Sequence, residues 1–186
     1  DPAIRSSLWA WHGLQKKREF YQSSTLDAMS RELFNSWSDY QRSVDTILAG
    51  VRHRLCIYDQ DLSLLKLDSK ERLSRLQALL QHGRSGCLQI AIRDATHLRQ
   101  RAPRLMELLA TFSHLMSIVE TGENLAHLRD SMLIADGERA LIRFEQNQAR
   151  SKLLIDEPAE TMPYQKRFEE IWLESNHPIA PTTLGL

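Results

Sequence analysis

Short strand-length segments that alternate with helical stripes constrain this chain more than any other feature. Arg54–Tyr58, Cys87–Ile92 and Met116–Val119 run for four to six mostly apolar residues, and polar residues or glycine bound them. Ahead of each, the apolar residues fall at helical spacing. Val44, Ile47, Leu48 and Val51 precede the first; Leu73, Leu76, Leu79 and Leu80 the second; Leu105, Leu108, Leu109, Phe112 and Leu115 the third. Helix-length segments between strands predict βαβ units, because parallel neighbours need a crossover that carries the chain back across the sheet. The local signals agree. Ser38 and Gln41 form a capping box, Asp68 and Glu71 mark a second helix start that Gly83 and Gly86 close, and Pro103 suits a first helical turn.

After Gly122 the pattern changes. Ser131–Ala135 and Arg139–Phe144 flank Asp136-Gly137, a hairpin signal because a two-residue turn needs positive φ. Lys152–Ile155 reads as one more strand, and Pro163 opens a last helix with Tyr164, Phe168, Ile171 and Trp172 on one face. Upstream, Glu32–Asn35 is a short strand, and Asp1-Pro2 starts a helix carrying Ile4, Leu8 and Trp11. The expected fold class is α/β: a single mixed, largely parallel sheet with helices on both faces, plus an N-terminal helical arm. Residues 1–24 form the arm, 25–176 the α/β domain, and 177–186, with two prolines and two threonines, a flexible tail.

Charge narrows the function classes. The 24 basic and 24 acidic side chains cancel, which excludes a chain made basic in bulk to coat nucleic acid or an anionic membrane. The zero hides a polarity: residues 93–104 carry four arginines and one aspartate, whereas Asp156 to Glu174 holds six acidic and two basic residues. No apolar run approaches the roughly 18 residues that span a bilayer. Cys56 and Cys87 lie in strand segments and read as reduced, buried thiols of a cytoplasmic protein. The seven histidines are scattered without paired ligand spacing, and there is no glycine-rich phosphate loop or nucleophile elbow. No metal or other cofactor is expected.

The order of elements, together with His127-Leu128-Arg129-Asp130-Ser131-Met132-Leu133-Ile134-Ala135-Asp136-Gly137, resembles one half of a phospholipase D-like unit. In that family this region bears His-x-Lys and then Asp, the histidine acting as nucleophile and the lysine holding phosphate oxygens. The likeness lies in the apolar strand and the turn, not in the chemistry. With His127 in the nucleophile position, Arg129 replaces the lysine and Ile134 the aspartate; with Asp136 as the aspartate, Arg129 and Ser131 take the histidine and lysine positions. The segments Tyr58 to Leu62, Arg93-Asp94 and Pro103 to Leu105 also resemble a bacterial domain found alone or behind an acetyltransferase domain. The resemblance implies a relative that has lost catalysis and serves binding or assembly, as a homodimer since that fold pairs halves.

In an open sheet, ligands bind beyond the carboxyl ends of the parallel strands. Asp59, Asp61, Arg93, Asp94, His97, His127, Arg129 and Asp130 are the residues expected there, a mixed set suited to a small anionic ligand, with an arginine fork to grip it. Loop charges that pair with one another and cap helices account for the same residues. Two further readings stand beside the assembly role. One is a hydrolase or transferase acting on a phosphorylated small molecule through His97 or His127. The other is weak nucleic-acid binding through residues 93–104, against which stand a neutral chain and no interleaved aromatic residue. Trp9, Trp11 and Trp37 are the side chains best suited to anchor self-association.

Overall fold

The computed structural model describes residues 30–181, and the expected N-terminal helix over residues 1–24 lies outside them. Within them the alternation becomes one sheet. The strands are β1 (Ser30–Phe34), β2 (Leu55–Asp59), β3 (Leu88–Ile92), β4 (Met116–Glu120), β5 (Ser131–Ala135), β6 (Arg139–Arg143), β7 (Ser151–Ile155) and the two-residue β8 (His177–Pro178). The helices are α1 (Trp37–Gly50), α2 (Lys70–His82), α3 (Thr96–Arg101), α4 (Pro103–Thr111) and α5 (Pro158–Glu174). Spatial order runs β1-β7-β6-β5-β2-β3-β4-β8.

The sheet is mixed, with helices on both faces, as the pattern predicts. Its parallel part is narrower than expected: only β2–β3 and β3–β4 are parallel, and every other pairing is antiparallel. The reason is connection length. Helical crossovers link β2, β3 and β4, whereas β5 and β6 are joined by the Asp136-Gly137 turn, with φ of 57° and 71° and a Glu138 N–H to Ala135 C=O bond of 3.1 Å.

Strand alternation divides the core in two. Ile57, Ile90, Ile118, Leu133, Leu141 and Leu153 face α1, α2 and α4, where Val44, Ile47, Leu76, Leu80, Leu105 and Leu109 meet them. Cys56, Tyr58, Ala91, Met132, Ile134, Ile142 and Leu154 face the other way, against Phe168 and Ile171 of α5. Both thiols are free and buried, and burial pushes both up from the usual thiol range.

Three local expectations are corrected, and one helix forms where the pattern assigned no element. The cap of α1 is Ser36, whose Oγ accepts the Asp39 N–H at 3.1 Å, rather than the Ser38–Gln41 box; Gln41 instead donates to the Leu64 carbonyl at 2.8 Å. The stretch after Asp94 is a helix of its own, α3, held by an Arg99 N–H to Ala95 C=O bond of 3.0 Å. The last helix begins at Pro158 rather than Pro163. Pro163 is tolerated because both it and Ala159, whose carbonyl it leaves without a helical donor, face solvent. The C-terminal stretch expected to be loose starts with β8, which pairs with the end of β4, and Ile179 is buried. Among the described residues no helix is long and apolar enough to cross a membrane.

Candidate functional site

The strand registers bring one row of side chains together at the carboxyl edge of the parallel strands. Glu120 lies beside Ile92 and Ile92 beside Asp59; Ser131 lies beside Arg143, and Arg143 beside Ser151. The antiparallel β2–β5 register, with Tyr58 opposite Met132, sets Asp59 next to Ser131. Neighbours in a row share a face, so these residues point to the α1 side, one layer above the apolar core.

At the centre of the row is a sealed ion pair. Arg143 donates from Nη2 to Asp59 Oδ1 at 2.7 Å, and both side chains are only 1% exposed. Asp59 Oδ2 accepts the Leu62 N–H at 2.8 Å, holding a turn in which Leu62 has a φ of 68°. Arg143 also donates to the Gln146 carbonyl. Its guanidinium carbon lies 5.2 Å from the Tyr40 ring centroid and 5.9 Å from that of Trp37, and those two rings meet edge to face. Burial, followed by the nearby Asp59 carboxylate, pushes the Tyr40 phenol up from its ordinary value. The Tyr40 hydroxyl, the Ser131 hydroxyl and Arg143 Nε are buried with no hydrogen-bond partner among the described residues.

The eight residues expected at this edge divide between the two faces of the sheet. Asp59 and Asp61 are neighbours in the turn after β2, where Asp61 accepts from both the backbone N–H and the hydroxyl of Ser63. Arg93 reaches the opposite face and donates to the Leu128 carbonyl at 2.9 Å, and the Tyr58 hydroxyl reaches the same oxygen at 3.5 Å. Asp94 is exposed and accepts the Thr96 N–H at 2.8 Å; hydrogen bonds from Thr96 lower its pKa. Arg129 forks onto Glu145 at 2.8–3.0 Å, and Asp130 onto Arg167 of α5 at 2.7–2.8 Å. His97 is half-buried and His127 exposed, and neither makes a side-chain hydrogen bond or ion pair among the described residues. No group of three His, Cys, Asp or Glu side chains there could hold a metal ion.

Asp136 performs a different task at the other end of the sheet. Its carboxylate accepts the backbone N–H groups of Arg52, His53 and Arg54, each at 2.8 Å, and so fastens the α1–β2 loop to the hairpin. A groove of about 560 Å³ between α1 and α2, and another of about 370 Å³ beside Arg84 and Cys87, also lie away from the Asp59 edge.

Sequence reasoning missed Arg143 and Tyr40. A signal was present: with Leu133 and Leu141 facing the core, a step of two residues along each strand turns Ser131 and Arg143 inward, and a buried arginine needs an acid. Chemically, the row on the α1 face presents one cation among the described residues, Arg143. Its arginine charge is already neutralised by Asp59 and covered by two rings.

A family model described as a domain of unknown function (DUF7931) matches residues 37–180. No curated protein sequence gives a significant match. Among solved structures, the chain is similar to TrmBL2, an archaeal chromatin protein described as showing a novel mode of DNA binding (TM-score 0.61, 10% identity, 94% of this chain). It spans 65% of that protein, just under two thirds. It is also similar to Nuc from Salmonella typhimurium, a phospholipase D family member (TM-score 0.54, 12% identity, 80% of this chain and 97% of that one). NucT from Helicobacter pylori aligns comparably (TM-score 0.54, 10% identity, 80% and 99%). At these identities the likeness is one of fold, and the fold is phospholipase D-like.

Proposed function

We propose, from the premise that the chain belongs to the family described as a domain of unknown function (DUF7931), that it is a non-catalytic phospholipase D-like module for binding or assembly. The observation that carries the reading is the sealed Asp59–Arg143 pair, which fills the strand-end position with the protein's own charges. The degenerate motif supports it: Ser131 is buried beside Arg143, and Arg129 is engaged by Glu145. Self-association as a homodimer is supported by exposed apolar side chains on the β1 side of the sheet, Leu33, Trp37 and Phe144.

Two measurements test the reading. With bis(p-nitrophenyl) phosphate as substrate, the protein releases no nitrophenol above background. Turnover that disappears in His97→Ala or His127→Ala would replace this reading with the hydrolase one. Sedimentation at high micromolar concentration gives the mass of two chains; a monomer removes the dimer from the proposal and leaves a binding module.

A further inference from the structure

The fold joins two basic segments that lie far apart in sequence. Asp68, in the loop before α2, accepts the Leu105 N–H at 2.8 Å and so pins the start of α4 to the start of α2. This gathers Lys66 and Lys70 on one side of the clamp and Arg99, Arg101 and Arg104 on the other. All five are exposed, and none makes an ion pair among the described residues. Four acids share these segments: Asp68 accepts the Leu105 N–H, Glu71 lines the groove on the α1 side of α2, Asp94 accepts the Thr96 N–H, and Glu107 lies on α4. The five cations exceed them by one. The acidic side chains of residues 156–174 lie on the opposite face, where Glu160, Glu169 and Asp156 pair with Arg31, Lys152, Arg54 and Arg139. The two opposed charge patches therefore do not neutralise each other within the fold.

We infer that this surface binds the phosphate backbone of nucleic acid, without sequence preference. A protein partner needs a desolvated apolar anchor, and a membrane-surface site needs apolar side chains to insert. Among the described residues, the exposed large apolar side chains Leu33, Trp37, Phe144, Met162 and Leu173 all belong to other parts of the molecule. Exposed, unpaired cations without an apolar centre suit a ligand held by counterion release. The inference names a partner for the binding role proposed above and rests on it.

Fluorescence anisotropy with a labelled duplex of about 20 base pairs tests it. Five phosphate contacts give a log–log salt slope near −4.5, so affinity falls roughly five-hundredfold between 50 and 200 mM salt. The variant Arg99→Gln/Arg101→Gln/Arg104→Gln, checked for an unchanged circular dichroism spectrum, reduces the slope to about −1.8, and Lys66→Gln/Lys70→Gln to about −2.7. Lys166→Gln, on the opposite face, leaves the slope unchanged. The inference is overturned if the wild type fails to bind at 50 mM salt, if both multiple variants bind as it does, or if anionic phosphatidylserine vesicles compete as well as unlabelled duplex. Such failure leaves the non-catalytic reading intact, whereas cleavage of the duplex on a gel counts against that reading and not against the surface.

Discussion

Replacing Asp59 by leucine, its apolar near-isostere, removes one half of a pair in which both side chains are 1% exposed. Arg143 then keeps its charge in a site walled by Tyr40, Trp37 and the sheet, with no other acid beside it in the row. Breaking a buried pair in this way costs about 3–5 kcal/mol, because the remaining ion stays desolvated without compensation. The Leu62 N–H also loses its acceptor. With a urea m-value of about 2 kcal/mol/M, a loss of about 4 kcal/mol lowers the unfolding midpoint by about 2 M. Arg143→Met, which leaves Asp59 unpaired, is expected to cost a similar amount. The double variant removes both charges and is expected within about 1–2 kcal/mol of wild type, so the cycle shows a coupling of several kcal/mol. Urea titrations followed by tryptophan fluorescence and circular dichroism measure all four proteins. A cost below about 1 kcal/mol for either single variant, or simple additivity in the double, refutes the claim that this edge is closed by its own ion pair.

Three further outcomes follow from the same geometry. Asp136→Ala removes the carboxylate that accepts three backbone N–H groups and puts at a φ of 57° a residue that tolerates it less well than aspartate; a loss of about 2 kcal/mol, or 4–8 °C in a thermal melt, is expected, with Asp136→Asn intermediate. Arg72 bonds Asp45, Gln41 and the Leu65 carbonyl and so ties α1, the turn after β2 and α2 together; Arg72→Met should lower the urea midpoint by more than the exposed Arg75→Met does. Alkaline pH should destabilise the fold. Burial raises Cys56, Tyr40 and Tyr58 above their unfolded values, so above about pH 9 the unfolded chain loses protons that the native state retains, and stability falls as pH rises. Urea midpoints at pH 7.5 and 10 check the sign, and an unchanged or higher midpoint at pH 10 contradicts it.

The strands and most helices were legible because their signals are local. Leu55 to Tyr58, Leu88 to Ile92 and the Asp136-Gly137 turn each announce themselves within a few residues, through an apolar run or a demand for positive φ. Helix boundaries were less legible. Ser36 and Ser38 both fit an N-cap by type, and the choice between them rests on where α1 must begin for Tyr40, Val44, Ile47 and Leu48 to reach the sheet. The candidate site was legible as an edge but not as a set of partners. Asp59 was expected there; Arg143, 84 positions later in the chain, was not.

Sequence alone determined that the chain alternates strands with helices, that a hairpin follows, that the charges segregate along the chain and that residues 127–137 hold no His-x-Lys. Each is a matter of residue type and short-range spacing, and each survives any arrangement of the elements. Only the tertiary structure decided that Asp59 is spent on Arg143, that Arg129 and Asp130 are taken by Glu145 and Arg167, and that Asp68 draws Lys66 and Lys70 beside the arginines of α3 and α4. These pairings depend on strand order and register, which set residues 16 to 84 positions apart within a few ångströms of one another. Whether a charged side chain is free to meet a ligand or is consumed inside the protein is fixed there, by burial and by the partner the fold supplies.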